Sequence, residues 1–263
     1  MIRVESLSYS YGDHAVLRDV SFSVDRGEFL SILGANGVGK STLFRCVLGL
    51  LPGYGGSVFL DGRDARALPP REMAKLVAYI PQNTVSAYNY SVEDIVLMGS
   101  TAGLSPLRSP GKKERERALW AMDKIGILPL KDRCFHHLSG GERQLAVLAR
   151  ALVQDAKILM LDEPTASLDF GNQLMVLTEV RELSREGYTI VQTTHNPEHA
   201  YSFSDRILTL KDGITFRCGR PEEIIVPEVI GELYGLDVEV SSLYGDRVRV
   251  CTPAFLTEKQ SFD

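Results

Sequence analysis

The segment Gly34–Ser41 constrains the fold of this chain more than any other, because it carries a glycine, four further residues and then Gly-Lys-Ser. Glycines allow a tight turn whose backbone N–H groups face inward and surround phosphate oxygens. The apolar run Phe29–Leu33 before it predicts a strand, and Ser41–Leu48 predicts a helix whose N-terminal end adds positive potential. The pattern therefore predicts a strand–loop–helix unit that holds phosphate groups.

The residues of this loop have different predicted roles. Lys40 would reach the β- and γ-phosphates of a nucleotide, and the hydroxyl of Ser41 would bind Mg²⁺. The alternative is a plain turn with a surface lysine. Average residue frequencies give this pattern by chance in only roughly one chain of this length in a hundred, which argues against that alternative. We predict that ATP is held here by Gly34, Asn36, Gly37, Gly39, Lys40, Ser41 and Thr42.

Two carboxylates directly follow another apolar run, Ile158–Leu161. Ligands of open parallel sheets bind where the strands end, so we expect Asp162 to hold Mg²⁺ and Glu163 to activate the attacking water. Alone, an apolar run before Asp-Glu also describes a strand that enters an exposed loop. Together with the phosphate loop, the pair supplies the metal ligand and the base that the loop lacks.

Short apolar runs alternate with longer helical patterns along the chain, which is typical of a parallel sheet covered by helices. Val77–Ile80 is a further short apolar run, Tyr188–Thr194 predicts a strand, and apolar residues at helical spacing over 174–183 predict a helix that ends before Gly187. The sequence therefore predicts an α/β fold.

Two parts of the chain differ from this core. Residues from about 86 to 155 have helical patterns, with Ala118, Leu119, Met122 and Ile125 on one face, and the C-terminal part shows β-like alternation. We expect one domain over 1–263. It divides into a core of about 1–85 and 156–218, an inserted helical subdomain of about 86–155 and a C-terminal extension of about 219–263.

Composition narrows the classes of function. The net charge of −5 argues against a broad nucleic-acid-binding surface. Apolar runs are far shorter than the ~20 residues that span a bilayer, and the start of the chain does not have the pattern of a signal peptide. We therefore expect a cytoplasmic protein that reaches any membrane through a partner.

The cysteines are far apart, which predicts free thiols: Cys46, Cys134, Cys218 and Cys251.

The segment Leu138–Glu142 has two compatible interpretations. Ser139 and Glu142 fit a capping box at the start of an amphipathic helix. The same five residues, Leu-Ser-Gly-Gly-Glu, match the signature motif of ABC ATPases, and the chain resembles that family over about residues 1–250. The resemblance implies a P-loop NTPase core of the ABC ATPase fold, with an N-terminal antiparallel β region and the inserted helical subdomain. It also implies that Ser139, Gly140 and Gly141 contact a γ-phosphate bound by the opposite subunit.

The family pattern implies further site residues. Tyr11 resembles the aromatic residue that stacks on adenine, and Gln82 resembles the glutamine that senses Mg²⁺ and touches the membrane partner. Asp169, in Ser-Leu-Asp, resembles the residue by which the two subunits sense each other. His195 resembles the switch histidine that contacts the γ-phosphate, followed by Asn196 where Asp is common.

The resemblance also implies partners. Because the signature faces another subunit's phosphate loop, we expect a second copy of the chain to close with the first over two ATP and Mg²⁺. An integral membrane permease, gripped near 82–93 on the inner face of the cell membrane, is the next partner. A solute-binding protein takes part indirectly, and nucleic acid is not expected.

Three segments indicate the kind of ABC protein. Leu68–Glu72, Tyr90–Gly99 and Ile214–Val240 resemble ATPases of iron-siderophore, haem and cobalamin importers. The expected function is therefore ATP hydrolysis that powers uptake of a metal chelate. Two alternatives stay open: an importer of molybdate or tungstate, and a soluble ABC ATPase such as that of iron–sulfur cluster assembly.

Overall fold

The computed structural model describes residues 1–82, 89–104 and 108–256. Its strands are β1 (Ile2–Tyr11), β2 (His14–Val24), β3 (Phe29–Leu33), β4 (Gly55–Leu60), β5 (Arg63–Asp64), β6 (Val77–Ile80), β7 (Ile158–Asp162), β8 (Thr189–Thr194), β9 (Arg206–Lys211), β10 (Ile214–Gly219), β11 (Val238–Leu243) and β12 (Val248–Pro253). Its α-helices are α1 (Lys40–Val47), α2 (Pro70–Leu76), α3 (Val92–Leu97), α4 (Lys112–Lys124), α5 (Gly140–Val153), α6 (Phe170–Arg185), α7 (Pro197–Phe203), α8 (Pro221–Ile224) and α9 (Pro227–Tyr234).

The central sheet has six strands in the order β10-β9-β3-β8-β7-β6, and only the β9–β10 pair is antiparallel. Every residue of β3, β7 and β8 is buried, and the largely apolar sequences of β3 and β7 agree with burial on both faces. The strand expected at Phe29–Leu33 is confirmed with those bounds, and the short apolar run Val77–Ile80 forms β6. In a parallel sheet of this kind the carboxyl ends of β3, β7 and β8 lie at one edge, where the loop and the acidic pair begin.

A second, antiparallel sheet in the order β2-β1-β4-β5 is built mainly from the N-terminal strands. Its buried side chains Leu7, Leu17 and Val58 share a core with Phe44 of α1 and Met160 of β7. The expected N-terminal antiparallel β region is therefore confirmed, and it packs against the helix that follows the phosphate loop.

Helices α3, α4 and α5 lie between β6 and β7 in the chain and pack together. Ala118, Met122 and Ile125 are buried as expected, whereas Leu119 is only half-buried and Ala121 is buried instead. The close approach of Gly99 to α5 requires a glycine, because a Cβ atom there would overlap the carbonyl oxygen of Arg150. The inserted helical subdomain is thus present. Its expected start at 86 and part of the loop before α4 lie outside the described residues.

The β-like alternation expected in the C-terminal part is confirmed by β10, β11 and β12, but helices that it did not predict lie between β10 and β11. Two short helices, α8 and α9, precede the β11–β12 hairpin, and each has a proline at its N-terminal end, a position that proline favours. Gly235, with φ of +68°, ends α9. The alternation pattern missed these helices because they are only four and eight residues long.

The exposed start of α6 is a second difference. Leu174 is 36% exposed, because the face of α6 that packs into the core begins at Val176 and continues through Val180 and Leu183.

All four cysteines are free, as expected. In the described ranges, no helix is both long and apolar enough to span a bilayer.

Candidate nucleotide-binding site

The phosphate loop joins β3 to α1. Gly39 is the N-cap of α1 with φ of +106°, a conformation that favours glycine. A Cβ atom on Gly34 would lie 2.5 Å from the carbonyl oxygen of Leu210, so the start of the loop also has room only for glycine. The backbone therefore takes the tight course that the sequence pattern predicts.

The Lys40 side chain is buried inside this loop, with only 4% of it exposed. Its Nζ atom donates hydrogen bonds to the carbonyl oxygens of Gly34 at 2.8 Å and Ala35 at 3.0 Å. It also forms an ion pair with Oε1 of Glu163 at 3.0 Å. The cation predicted to bind phosphate is thus held beside the predicted catalytic base.

Three hydroxyl groups converge on the Asp162 carboxylate. Ser41 Oγ and Thr193 Oγ1 donate to Oδ1 at 3.2 and 2.7 Å, and the Tyr79 hydroxyl donates to Oδ2 at 3.3 Å. Burial and, next, the charge of Asp162 raise the pKa of Tyr79 to about 12, so its phenol remains a donor at neutral pH. The structure therefore fixes the carboxylate beside Ser41.

The oxygen atoms of Ser41 and Asp162 are the hard ligands that Mg²⁺ prefers. No group of three or more His, Cys, Asp and Glu side chains that could hold a metal occurs in the part of the chain that the structure describes. Since Mg²⁺ takes few protein ligands and is completed by phosphate oxygens and water, this pair fits a metal that arrives with a nucleotide.

The Glu163 side chain brings together the residues expected to act in catalysis. Its Oε2 atom lies 3.3 Å from Nε2 of Gln82 and 3.2 Å from Nδ1 of His195. Its backbone has φ of +46°, and its N–H donates to Thr193 Oγ1 at 2.9 Å. A left-handed conformation is costly for a residue other than glycine and is often kept at functional sites. Gln82, Glu163 and His195 thus form one contiguous cluster.

The signature segment forms the expected capping box at the start of α5. Ser139 Oγ accepts from the N–H of Glu142 at 3.2 Å, and Glu142 Oε2 accepts from the N–H of Ser139 at 2.8 Å. A Cβ atom on Gly141 would collide with Asn172 in the first turn of α6, and one on Gly140 would lie 2.9 Å from the side chain of Leu168, just before α6. Between these three signature residues and Lys40 or Glu163, the described residues show no hydrogen bond or ion pair.

Asp169 is the N-cap of α6. Its side chain accepts from the N–H of Asn172 at 2.9 Å and from Nδ2 of Asn172 at 2.6 Å. The loop that carries Asp169 is therefore packed against the signature of its own chain, and the two segments form one surface.

Tyr11 at the end of β1 is 44% exposed. Its ring meets the ring of Tyr9 edge-on at 5.0 Å, while Tyr9 packs against the core as an ordinary strand residue. An exposed aromatic ring is suited to stacking on a flat ligand.

Three residues of this site are not predicted by the sequence patterns: Thr193, Tyr79 and Tyr234. Thr193 pairs with Asp162 in the sheet register, so knowledge of the strand order would have found it. Tyr79 lies in the strand before Gln82, but nothing local shows that it reaches Asp162. Tyr234 donates to the carbonyl oxygen of His195 at 2.8 Å from the far C-terminal part.

Comparison with known proteins identifies the family. A family model described as ABC transporter matches residues 17–166, more than half of the chain. The chain belongs to the ABC transporter family. It is an ABC ATPase, a type of protein that binds and hydrolyses ATP. Cassettes of this family form dimers and work with membrane permease subunits.

Relatives cover most of this ABC ATPase. It is 35% identical over 240 residues to an uncharacterized ABC transporter ATP-binding protein of Haemophilus influenzae, covering 91% of each chain. It is 35% identical over 237 residues to the ferric enterobactin transport ATP-binding protein FepC of Escherichia coli K12, covering 89% of this chain and 87% of FepC.

Solved structures show the same fold. A metal-chelate type ABC transporter in an inward-facing conformation matches with a TM-score of 0.85 and 30% identity over 96% of each chain. A dimeric bacterial ABC transporter cassette matches with a TM-score of 0.73 and 27% identity, covering 84% of this chain and 99% of that one.

Proposed function

We propose that this ABC ATPase powers the uptake of a metal chelate, of the iron-siderophore, haem or cobalamin type, through a separate membrane permease. The observation that carries the proposal is the match to a metal-chelate type transporter over 96% of both chains. The 35% identity with FepC supports the same substrate class.

The phosphate loop is the proposed ATP site. The loop N–H groups from Gly34 to Thr42 bind the phosphates, and the exposed Tyr11 ring stacks on adenine. Lys40, which now contacts Glu163, turns its ammonium to the β- and γ-phosphates. Ser41, Asp162 and Gln82 would hold Mg²⁺, and the metal would neutralise charge on the phosphates.

The Glu163 cluster is the proposed hydrolytic centre. Once Lys40 faces phosphate, the Glu163 carboxylate can accept the proton of the attacking water. His195 contacts the γ-phosphate and Gln82 stays beside the base, since both already lie within 3.3 Å of Glu163. This is positioning and charge stabilisation, which is what phosphoryl transfer requires of a protein.

A second copy of the chain completes the site. The signature residues Ser139, Gly140 and Gly141 form part of a surface with Asp169 and are not bonded to the phosphate loop of their own chain. In the closed dimer they meet the γ-phosphate held by Lys40 of the partner copy. ATP binding thus favours closure, and hydrolysis releases it.

The permease docks beside this site. The expected grip near 82–93 falls partly on residues 83–88, which lie outside the described residues. Among the described residues, an apolar cavity of about 610 Å³ is lined by residues 48–54, Ala65, Leu68, Met73, Tyr79 and Gln154 among others. We assign a cytoplasmic helix of the permease to it, because Tyr79 lines the cavity and also donates to Asp162. We therefore propose that the ATPase lies on the inner face of the cell membrane, with a solute-binding protein acting on the other side.

The division of the chain predicted from its sequence fits this mechanism. We propose a core of about 1–85 and 156–218, which holds ATP, a helical subdomain of about 86–155, which presents the signature, and an extension of about 219–263. The moving parts in transport are then the core and the helical subdomain.

A co-purification experiment tests the transport role. Tagged chain from solubilised native membranes should carry a multi-span permease, and vesicles that contain this complex and enclose ATP should take up a ferric siderophore supplied outside with its solute-binding protein. Leu50→Glu, at a 60% exposed cavity residue, should abolish the association. Leu236→Glu, at a 63% exposed residue away from the cavity, is the matched control.

Three results would contradict the proposal. Capture of soluble cluster-assembly proteins instead of a permease would favour a scaffold role. Uptake of molybdate but not of a metal chelate would leave an ABC importer with a different substrate. Loss of the permease with Leu236→Glu but not with Leu50→Glu would place the docking surface elsewhere.

A further inference from the structure

In the described part of the C-terminal extension, the side chain of Tyr234 reaches the catalytic cluster. The hydroxyl of Tyr234, the last residue of α9, donates to the main-chain carbonyl oxygen of His195 at 2.8 Å. The imidazole of the same residue, through Nδ1, lies 3.2 Å from Glu163. Tyr234 therefore contacts the backbone of a residue whose side chain belongs to the proposed hydrolytic centre.

Helix α9 holds Tyr234 firmly in this position. Ile230 and Leu233 of α9 are buried against Leu33 at the end of β3 and Ala200 of α7. The N–H of Gly235 donates to the carbonyl oxygen of Gly231 at 2.8 Å and closes the helix directly after the tyrosine. The hydroxyl thus belongs to a packed element and has a fixed direction.

The Tyr234 hydroxyl acts as a donor at any working pH. Burial, followed by the nearby Cys251 thiol and Glu163 carboxylate, raises the pKa of Tyr234 well above its ordinary value. The hydrogen bond to the carbonyl oxygen is therefore present throughout the neutral range.

The imidazole ring of His195 is half exposed, so the backbone contacts of this residue matter for its direction. Its side chain is 46% exposed, and Glu163 is the partner that the structure gives to its ring. The next residue, Asn196, donates its N–H to Thr194 Oγ1 at 3.1 Å, and its side chain caps α7. The backbone is thus fixed after His195 by Asn196 and at His195 itself by Tyr234, and these contacts determine the direction in which the ring leaves the chain.

We propose that Tyr234 is a positioning residue for ATP hydrolysis, which holds His195 toward Glu163 by fixing its carbonyl group. The inference rests on the proposed function and extends it. It makes the C-terminal extension part of the catalytic apparatus, because the extension supplies a hydrogen bond on which the geometry of the switch histidine depends.

Tyr234→Phe tests this, because it removes the hydroxyl and keeps the ring that packs. The kcat for ATP should fall about three- to ten-fold, the effect of one lost hydrogen bond, while KM changes less than about two-fold. The affinity for a fluorescent ADP analogue should stay unchanged, since the phosphate loop and Tyr11 are not altered.

Tyr201→Phe is the matched control. The Tyr201 hydroxyl also ties the C-terminal part to the core, by donating to the Asp246 carbonyl oxygen at 2.6 Å, but it does not contact His195. This variant should lower the Tm at least as much as Tyr234→Phe and leave kcat unchanged.

The possible results distinguish failure of the Tyr234 proposal from failure of the proposed function. A Tyr234→Phe protein with wild-type kcat overturns the inference, and so does an equal loss of kcat in Tyr201→Phe, which would indicate general loosening. A raised KM with unchanged kcat also overturns it. Wild-type protein that does not hydrolyse ATP at high protein concentration contradicts the proposed function instead.

Discussion

The Nζ atom of Lys40 lies 3.0 Å from Oε1 of Glu163, and both side chains are nearly buried, at 4% and 11% exposed. The group that binds phosphate and the group that activates water are thus each other's partner. A phosphate that attracts Lys40 weakens this ion pair and leaves the carboxylate available as a base. The pair therefore links nucleotide binding to the readiness of the base.

Replacing Lys40 with Ala should weaken ATP binding at least about a hundred-fold, because a buried charge that contacts phosphate contributes several kcal/mol in a site of low dielectric. Equilibrium titration with a fluorescent ATP analogue measures this. Lys75→Ala, at an exposed lysine paired with Glu72, is the control and should bind ATP like the wild type. Unchanged affinity in Lys40→Ala would mean that the loop does not hold the phosphates.

Gly141→Ala should destabilise the protein, although alanine is normally preferred over glycine in a helix by up to about 1 kcal/mol. A Cβ atom at this position would overlap the side chain of Asn172, which Asp169 holds by two hydrogen bonds. Chemical denaturation should show a lower free energy of unfolding, and Asn172→Ala in the same chain should restore part of it.

Gly171→Ala serves as the control for that effect. A Cβ atom there would have only an ordinary contact of 3.7 Å with Asp169, so this variant should be tolerated. If Gly141→Ala is as stable as Gly171→Ala, the signature and α6 are not packed as closely as the structure describes.

Local patterns predicted much of this site, and long-range pairing accounts for the rest. The loop from Gly34 to Ser41 and the capping box at Ser139 depend on residues a few positions apart, so periodicity and spacing are sufficient to find them. Thr193 meets Asp162 only because β7 and β8 are neighbours in register. Tyr234 meets His195 only because α9 packs back onto α7.

Buried His199 should make stability depend on pH. Burial lowers the pKa of His199, with the charge of His195 adding to the effect and Glu198 opposing it. The unfolded chain therefore takes up the proton first as pH falls below about 6.5. The stability contributed by the neutral His199 side chain is fully present above that pH. It is lost as the pH falls from there through the pKa that His199 has in the folded protein.

His199→Gln should remove that part of the acid sensitivity. The free energy of unfolding, measured by denaturant at pH 8 and at pH 5, should fall less between the two values in the variant than in the wild type. The cap of α7 is not affected, because it uses the N–H of residue 199 rather than its side chain. Equal pH dependence in the two proteins would contradict the role of His199.

Two copies of the chain share each ATP in the proposed mechanism, and the variant Glu163→Gln makes this sharing measurable. This variant keeps the shape of the site but cannot accept the proton of the attacking water, so bound ATP persists. Light scattering in ATP and Mg²⁺ should give the mass of two chains, and ADP should give that of one. Adding Ser139→Arg, which blocks the signature, should return the ATP form to a monomer. A Glu163→Gln protein that binds ATP and stays a monomer would contradict the account.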